Sequence, residues 1–145
     1  MNTASRILAS KPDQTVHTIA PEASVYEAIV LMAQKGIGAL LVTDGEKIAG
    51  IVSERDYARK IILLGRSSKE TPVRDIMTAK VLFVRPDQTS EQCMAIMTES
   101  HVRHLPVLDG DRLVGLLSIG DLVKDIISTQ RFTIEQLEHY IRGER

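Results

Sequence analysis

Two short stretches carry the residues best suited to chemistry. These are Ser53 and Asp56 in GIVSERDY (50–57) and Ser118 and Asp121 in GLLSIGDL (115–122), each pair three positions apart behind an apolar run. The pattern [ST]-x-x-[DE] is a capping box: the hydroxyl accepts an orphan backbone N–H at a helix start and the carboxylate reaches back to the N–H of the cap residue. A hydroxyl, a carboxylate and the N–H groups of a helix start are also the parts from which a small-ligand site is built. Arg55 adds a positive charge inside the first motif, whereas Gly120 at the matching place adds none. The two motifs are therefore predicted to be unequal.

The elements that position them come as an internal repeat. Residues 18–57 align without a gap on residues 83–122 at a constant offset of 65, with identical pairs at Pro21/Pro86, Met32/Met97, Leu40/Leu105, Val42/Val107, Asp44/Asp109, Gly45/Gly110, Gly50/Gly115, Ser53/Ser118 and Asp56/Asp121. Such duplication decides the architecture before any element is assigned. Each copy opens with an extended segment running into Pro21 or Pro86. A helix follows, started by Ser24 with Glu27 or Thr89 with Gln92 as capping boxes, with Val25, Ala28, Ile29 and Met32, or Ser90, Cys93, Met94 and Met97, at helical spacing. Gly36 ends the first of these helices.

Two apolar runs then flank Asp44-Gly45 or Asp109-Gly110, the signature of a hairpin with a type I′ turn. Their nearly continuous apolar character predicts strands covered on both faces. A second helix follows each hairpin, SERDYARKIILLG and SIGDLVKDIISTQ. The expected fold is α+β, two pseudo-symmetric β-α-β-β-α repeats packed through their sheets. The boundaries are 13–71 for the first repeat, 76–132 for the second, and 133–145 for a C-terminal helical tail. The joining segment GRSSKETPVRDIMTAK reads as a linker ending in a docking turn at Ile76 and Met77, with Pro72 at a first helical position. In the tail, Thr133 with Gln136 reads as a capping box and Phe132 with Leu137 as a hydrophobic staple. Its stripe of Ile134, Leu137 and Ile141 must lie on its own domain or on the second subunit of a dimer.

Composition narrows the function. With 18 basic and 19 acidic residues in 145, no broad field attracts nucleic acid or anionic lipid. Without Trp, and with two Phe and three Tyr, the chain has no aromatic platform for single-stranded nucleic acid. The single Cys93 forms no internal disulfide or redox pair and reads as core filler. His17, His101 and His139 show no metal-ligand spacing. MNTASRILASK lacks the apolar region of a signal peptide and no run is long enough to span a bilayer, so a cytoplasmic protein is expected.

The duplicated GIVSERD and GLLSIGD behind Asp-Gly hairpins, with VRHLPVLD on the second hairpin, resemble a tandem CBS domain pair (cystathionine-beta-synthase type), or Bateman module, over about residues 13–132. The resemblance implies a non-catalytic regulatory module that binds adenosine-containing ligands in clefts between the repeats, such as AMP, ADP, ATP or NAD, and works as a homodimer. It implies ribose binding by Asp56 and Asp121, whose paired acceptor oxygens suit a diol. It implies phosphate binding by Ser53, Arg55, Ser118, Arg103 and His104, and an adenine pocket from Thr18, Ile37, Ile51, Thr78, Val81, Val102 and Leu116. Arg103 and His104 stand where the first repeat has Gly38 and Ala39, which concentrates the expected phosphate clamp on the second repeat. The missing first-repeat contact leaves room for a dinucleotide.

Two other function classes compete. Catalysis would recruit Ser53 or Ser118, His104 and an aspartate as nucleophile, base and orienter, but both serines stand where caps are expected and no G-x-S-x-G elbow is present. A ligand-free interaction or dimerisation scaffold would need neither the two Ser-x-x-Asp pairs nor Arg103-His104. The partner it would regulate is unidentified by the sequence.

Overall fold

The computed structural model describes residues 2–142. The chain forms α1 (Ala4–Ser10), β1 (Thr18–Ile19), α2 (Val25–Lys35), β2 (Ala39–Asp44), β3 (Lys47–Ser53), α3 (Glu54–Tyr57), α4 (Ser90–Ser100), β4 (His104–Asp109), β5 (Arg112–Ser118) and α5 (Ile119–Ile141). Helix α3 runs on through a π-helical turn, Ala58–Ile62, and a short 3-10 turn, Val73–Asp75, sits in the joining segment. Mixed helices and strands in two repeats confirm the α+β expectation.

The chain divides into two compact units, residues 16–81 and residues 1–15 with 82–145. In the first, β1 pairs parallel with β2 and β2 antiparallel with β3. Residues Val25, Ala28 and Met32 of α2, Leu40 and Val42 of β2, Val52 of β3, and Ile61 form a buried apolar core. Val73 and Ile76 of the joining segment complete it, so the docking turn predicted there exists, with Pro72 preceding the turn rather than occupying its first position. In the second unit, β4 pairs antiparallel with β5, and Val84 bridges Val107 where the first unit has a strand. Cys93, Met97, Leu105, Val107, Leu117 and Leu122 form its core, and burial raises the Cys93 thiol pKa.

Helix α1 has no local signal in the sequence beyond its Thr3 cap. It starts on a Thr3 cap and places Ala4, Ile7 and Leu8 in the core of the second unit. The two docking segments are related to each other as the repeats are. Thr3 bridges Thr89 and Pro72 bridges Ser24, which superposes residues 3–11 on 72–80 and aligns Ile7 with Ile76 and Lys11 with Lys80. The paired glycines explain themselves here. A Cβ on Gly115 would lie 2.8 Å from both methyls of Leu8, and one on Gly50 would lie 2.7 Å from Met77 Sδ and from the Thr78 carbonyl oxygen. Both positions let a docking segment press directly on strand backbone.

Several local expectations change. The hairpin connections are Gly45-Glu46 and Gly110-Asp111, and only the glycines have positive φ (64° and 62°), so the type I′ geometry is not formed; Asp44 and Asp109 are the last strand residues. Strand β2 is buried over its first four residues as predicted, whereas β3 alternates. The Ser24 hydroxyl caps α2 by accepting from Glu27 N–H, while Thr89 with Gln92 forms the full capping box. His101, the counterpart of Gly36, ends α4 in the left-handed region at φ 56°. The predicted helix start at Thr133 is overturned, because α5 continues unbroken to Ile141 and the Thr133 hydroxyl donates to the Thr129 carbonyl inside it. Phe132 and Leu137, five positions apart on one helix, lie on different faces and cannot staple.

Candidate functional site

Both Ser-x-x-Asp motifs are complete capping boxes. At the start of α3, Asp56 N–H donates to Ser53 Oγ (3.2 Å) and Ser53 N–H donates to Asp56 Oδ2 (3.0 Å). At the start of α5, Asp121 N–H donates to Ser118 Oγ (3.1 Å) and Ser118 N–H donates to Asp121 Oδ2 (2.8 Å). The first N–H of each helix is also taken, Glu54 by the Gly38 carbonyl and Ile119 by the Arg103 carbonyl. The helix starts thus offer fewer donors to an anion than the sequence suggested. Each hydroxyl spends an acceptor lone pair on the cap, and what it retains for a ligand is its proton. In the first motif that proton faces Asp56 Oδ2 at 3.1 Å.

Each carboxylate is met by a lysine outside the expected site residues. Lys60, one turn along, lies 3.2 Å from Asp56 Oδ1 and donates to the Ile76 carbonyl at 2.8 Å. Lys11, the cap residue after α1, lies 3.0 Å from Asp121 Oδ2 and donates to the Leu116 carbonyl at 3.1 Å. The i, i+4 spacing of Asp56 and Lys60 was a readable signal. Nothing local tied Lys11 to Asp121, 110 positions away; only the fold of α1 brings them together. Lys80, the counterpart of Lys11, is exposed and forms no such pair, while the counterpart of Lys60 is Asp125, which accepts from the Asn2 side-chain amide.

These pairings leave the two carboxylates in different states. Both oxygens of Asp56 are engaged, Oδ2 by the cap and Oδ1 by Lys60. Asp121 concentrates its partners on Oδ2, which leaves Oδ1 without a hydrogen-bond partner among the described residues. Its side chain is 15% exposed, as is that of Asp56.

The second unit also gathers the basic residues expected there. His104 opens β4 directly opposite Ser118, and its charge environment includes Asp121, Lys11 and Arg103. Burial pushes the His104 imidazole below its ordinary value; Asp121 opposes that shift, and Lys11 and Arg103 reinforce it. Arg103 is exposed. In the first unit the corresponding pair opposite Ser53 is Ala39, and Arg55 is the added cation near the motif.

The expected adenine-contacting residues divide in the same way. Thr18, Leu41 and Ile51 are register partners across β1, β2 and β3, and Thr78 extends the row by exchanging two backbone hydrogen bonds with Ile51 (2.8 and 3.0 Å). The structure therefore sets Thr18, Ile51 and Thr78 in one row that crosses, at Ile51, the strand ending at Ser53. Ile37 and Val102 are equivalent positions just past the ends of α2 and α4, and both pack against their own cores. Leu116 pairs with Pro106 on the strand leading to Ser118. Val81 is half-buried at the end of the first unit, outside the Thr18 row. Among the described residues no cluster of His, Cys, Asp and Glu could hold a metal ion, and no helix is long and apolar enough to cross a membrane.

A duplicated unit with a capped helix behind each hairpin, fitted with reciprocal docking segments, defines a class of protein, and comparison with known proteins agrees. The CBS domain family model matches residues 7–63 and 73–128, and the chain belongs to that family. Among its relatives is the mitochondrial CBS domain-containing protein CBSX3 of Arabidopsis thaliana, 42% identical over 125 residues, covering 83% of this chain and 61% of that protein. Another is YhcV of Bacillus subtilis, 30% identical over 79% of this chain and 81% of YhcV. This chain thus spans under two thirds of CBSX3, and 22% of the larger Arabidopsis protein CBSCBSPB5. Among solved structures, a CBS-domain protein of Burkholderia ambifaria MC40-6 assigned to signal transduction is 60% identical, with a TM-score of 0.87 over 89% of this chain and 96% of that one. These relatives are named for CBS domains or signal transduction, and none of the names is that of an enzyme family.

Proposed function

We propose that this CBS pair is a non-catalytic sensor that holds an adenosine-containing ligand at its Ser-x-x-Asp helix starts, with ribose on Asp121 and Asp56. The observation that carries the reading is the open Oδ1 of Asp121, held in place by a cap and a lysine beside His104 and Ser118. A carboxylate oriented by two fixed donors is prepared to accept a diol without reorganising. Ser118 and His104, with Arg103 and Lys11 near them, supply donors and positive charge for phosphate; Ser53 and Arg55 play that part in the first repeat. Thr18, Ile37, Ile51 and Thr78 with Val81, and Val102 with Leu116, supply apolar and backbone surface for adenine. The MJ0100 CBS pair, which at 24% identity shares the fold alone, is described in complex with 5-methylthioadenosine and S-adenosyl-L-methionine, both adenosine compounds.

AMP, ADP, ATP and NAD are the ligand candidates, a cytoplasmic location and a homodimeric assembly belong to the same reading, and any regulated partner acts through the ligand-dependent state. The domain limits 13–71, 76–132 and 133–145 remain part of it. For sensing, the ligand must bind one conformational state better than another. The test is a thermal-shift and calorimetric panel of these nucleotides and S-adenosylmethionine on protein shown to be free of carried-over ligand. At 100 times its dissociation constant a ligand adds about 2.7 kcal/mol of stability. Asp121→Asn is expected to abolish most of that shift. A panel in which no adenosine compound moves the transition sinks the proposal.

A further inference from the structure

In the second unit a cluster of charges surrounds an imidazole that the fold leaves without a partner. His104 stands directly opposite Ser118 on the antiparallel pair β4–β5, and residues so placed put their side chains on the same face. That face leads into the helix start where Asp121 N–H donates to Ser118 Oγ at 3.1 Å. Neither ring nitrogen of His104 has a hydrogen-bond partner among the described residues, and neither is sealed from solvent. A half-buried imidazole in that condition is neutral near pH 7 and keeps one donor and one acceptor for an arriving ligand.

The charges that reach His104 come from three places: Asp121 on α5, Lys11 at the end of α1, and Arg103 beside it in the chain. Strand β5 has a single charge of its own, Arg112, at the hairpin end opposite Asp109. Helix α4, which packs on β4, carries Glu91 and Glu99, both exposed. Farther along α5, Lys124 is exposed and Asp125 accepts from the Asn2 amide. Lys11 is fixed by Asp121 Oδ2 at 3.0 Å and by the Leu116 carbonyl at 3.1 Å, which holds its ammonium at the site. Two cations against one carboxylate leave the cluster one positive charge in excess while the imidazole is neutral. A phosphate monoester brings a charge of about −1.5 to −2 at neutral pH and reverses that sign. One proton on the imidazole then restores the balance and turns its acceptor nitrogen into a second donor. The first unit has no such group, because Ala39 stands opposite Ser53 there.

Resting on the ligand reading above, we propose that the Ser118–Asp121 site is proton-coupled: a phosphate-bearing adenosine ligand is held there with uptake of a solvent proton by the His104 imidazole, so that acidification strengthens binding. Calorimetry of the full chain with AMP at about pH 7, in two buffers of different ionisation enthalpy, counts the protons taken up. About 0.5–1 proton per AMP is expected, against none for adenosine, and Kd for AMP should fall from about pH 8 to about pH 6 by at most roughly tenfold per pH unit. The phosphate of AMP titrates in the same range, so His104→Gln, which keeps a donor but takes no proton, provides the baseline, and the uptake should disappear in it. In the wild-type chain, the imidazole NMR signal that His104→Gln deletes should titrate at a higher pH with AMP bound than without. AMP binding with no proton beyond that seen with adenosine, or an uptake that His104→Gln leaves unchanged, overturns the proton coupling and leaves the ligand reading standing. A chain that binds no adenosine compound overturns both.

Discussion

Replacing Gly115 by alanine tests whether α1 presses on β5 as described. Neither Gly115 nor Gly50 has positive φ, so on backbone grounds alone alanine should stabilise the chain by roughly 0.4–1 kcal/mol, by restricting the unfolded state. The packing predicts the opposite sign. The new Cβ would sit 2.8 Å from both methyls of Leu8, whereas ordinary contacts begin near 3.4 Å, so each methyl must retreat by about 0.6 Å. Leu8 is 9% exposed and shares a seven-residue helix with the buried Ala4 and Ile7, so its methyls must retreat into a packed core. Overpacking of this kind costs about 1–3 kcal/mol, which against that gain leaves a net loss of up to roughly 2.6 kcal/mol and about 1.3 kcal/mol at mid-range. At about 3–4 °C per kcal/mol for a chain of this size, Tm should fall by roughly 4–5 °C at mid-range in differential scanning calorimetry. Gly50→Ala should cost more, because one obstacle is the Thr78 carbonyl, a backbone group held by Ile51 N–H at 3.0 Å. The mechanism also requires coupling: Leu8→Ala should cost less in the Gly115→Ala background than alone. A raised Tm in Gly115→Ala, or additive effects of the two substitutions, would refute the reasoning.

Other expectations rest on the site. Lys11→Met removes the 3.0 Å pair with Asp121 and should lower stability by about 1 kcal/mol, since desolvation and side-chain ordering offset most of the Coulomb gain; chemical denaturation measures it, and an unchanged midpoint counts against the pair. His104 is held below its ordinary value by burial, so the unfolded chain binds its proton more readily. Stability from His104 is full above about pH 6.5 and declines as pH falls from there toward its lowered folded value, and His104→Gln should flatten that decline in Tm measured between pH 5 and 8. Asp56→Asn and Asp121→Asn each weaken one capping box, with an expected cost of about 1 kcal/mol, but only Asp121→Asn should remove most of the calorimetric ligand signal. Equal ligand losses from both would contradict the assigned inequality of the carboxylates.

The repeat, both capping boxes and both hairpins could be read because they are local: an offset of 65, hydroxyl and carboxylate three apart, glycine at a turn. What escaped depends on distance along the chain. Residues 4–10 read only as a segment lacking a signal-peptide core, because Ile7 and Leu8 acquire meaning against Leu105, Leu117 and Leu122. Lys11 escaped for the same reason, whereas the link between Lys60 and Asp56 lay within one helical turn and could have been found. The false start at Thr133 shows the opposite failure. A threonine followed three residues later by glutamine satisfies the cap pattern, yet with no Gly or Pro between Asp121 and Ile141 the helix continues and the hydroxyl turns back to the preceding turn.

The asymmetry of the two sites therefore does not come mainly from the motifs. Arg55 against Gly120, and Arg103-His104 against Gly38-Ala39, already make the repeats unequal, but the decisive difference lies in which lysine reaches which carboxylate. Lys11 and Lys80 stand at equivalent places on the two docking segments, yet only Lys11 pairs with an aspartate, approaching it on the oxygen that the cap already uses. Lys60 approaches Asp56 on the other oxygen, so that each of its oxygens already has a partner. In the proposed role, a diol arriving at Asp56 would have to share Oδ1 with the Lys60 ammonium, whereas one arriving at Asp121 would meet Oδ1 with no partner among the described residues and the charge of Lys11 still in place. Under the proposed ribose role, Asp121 would offer an open oxygen and Asp56 a shared one, and the ammonium that shares it also donates to the Ile76 carbonyl of the docking segment. Ligand capture at Asp56 should loosen that segment; capture at Asp121 should leave α1 in place.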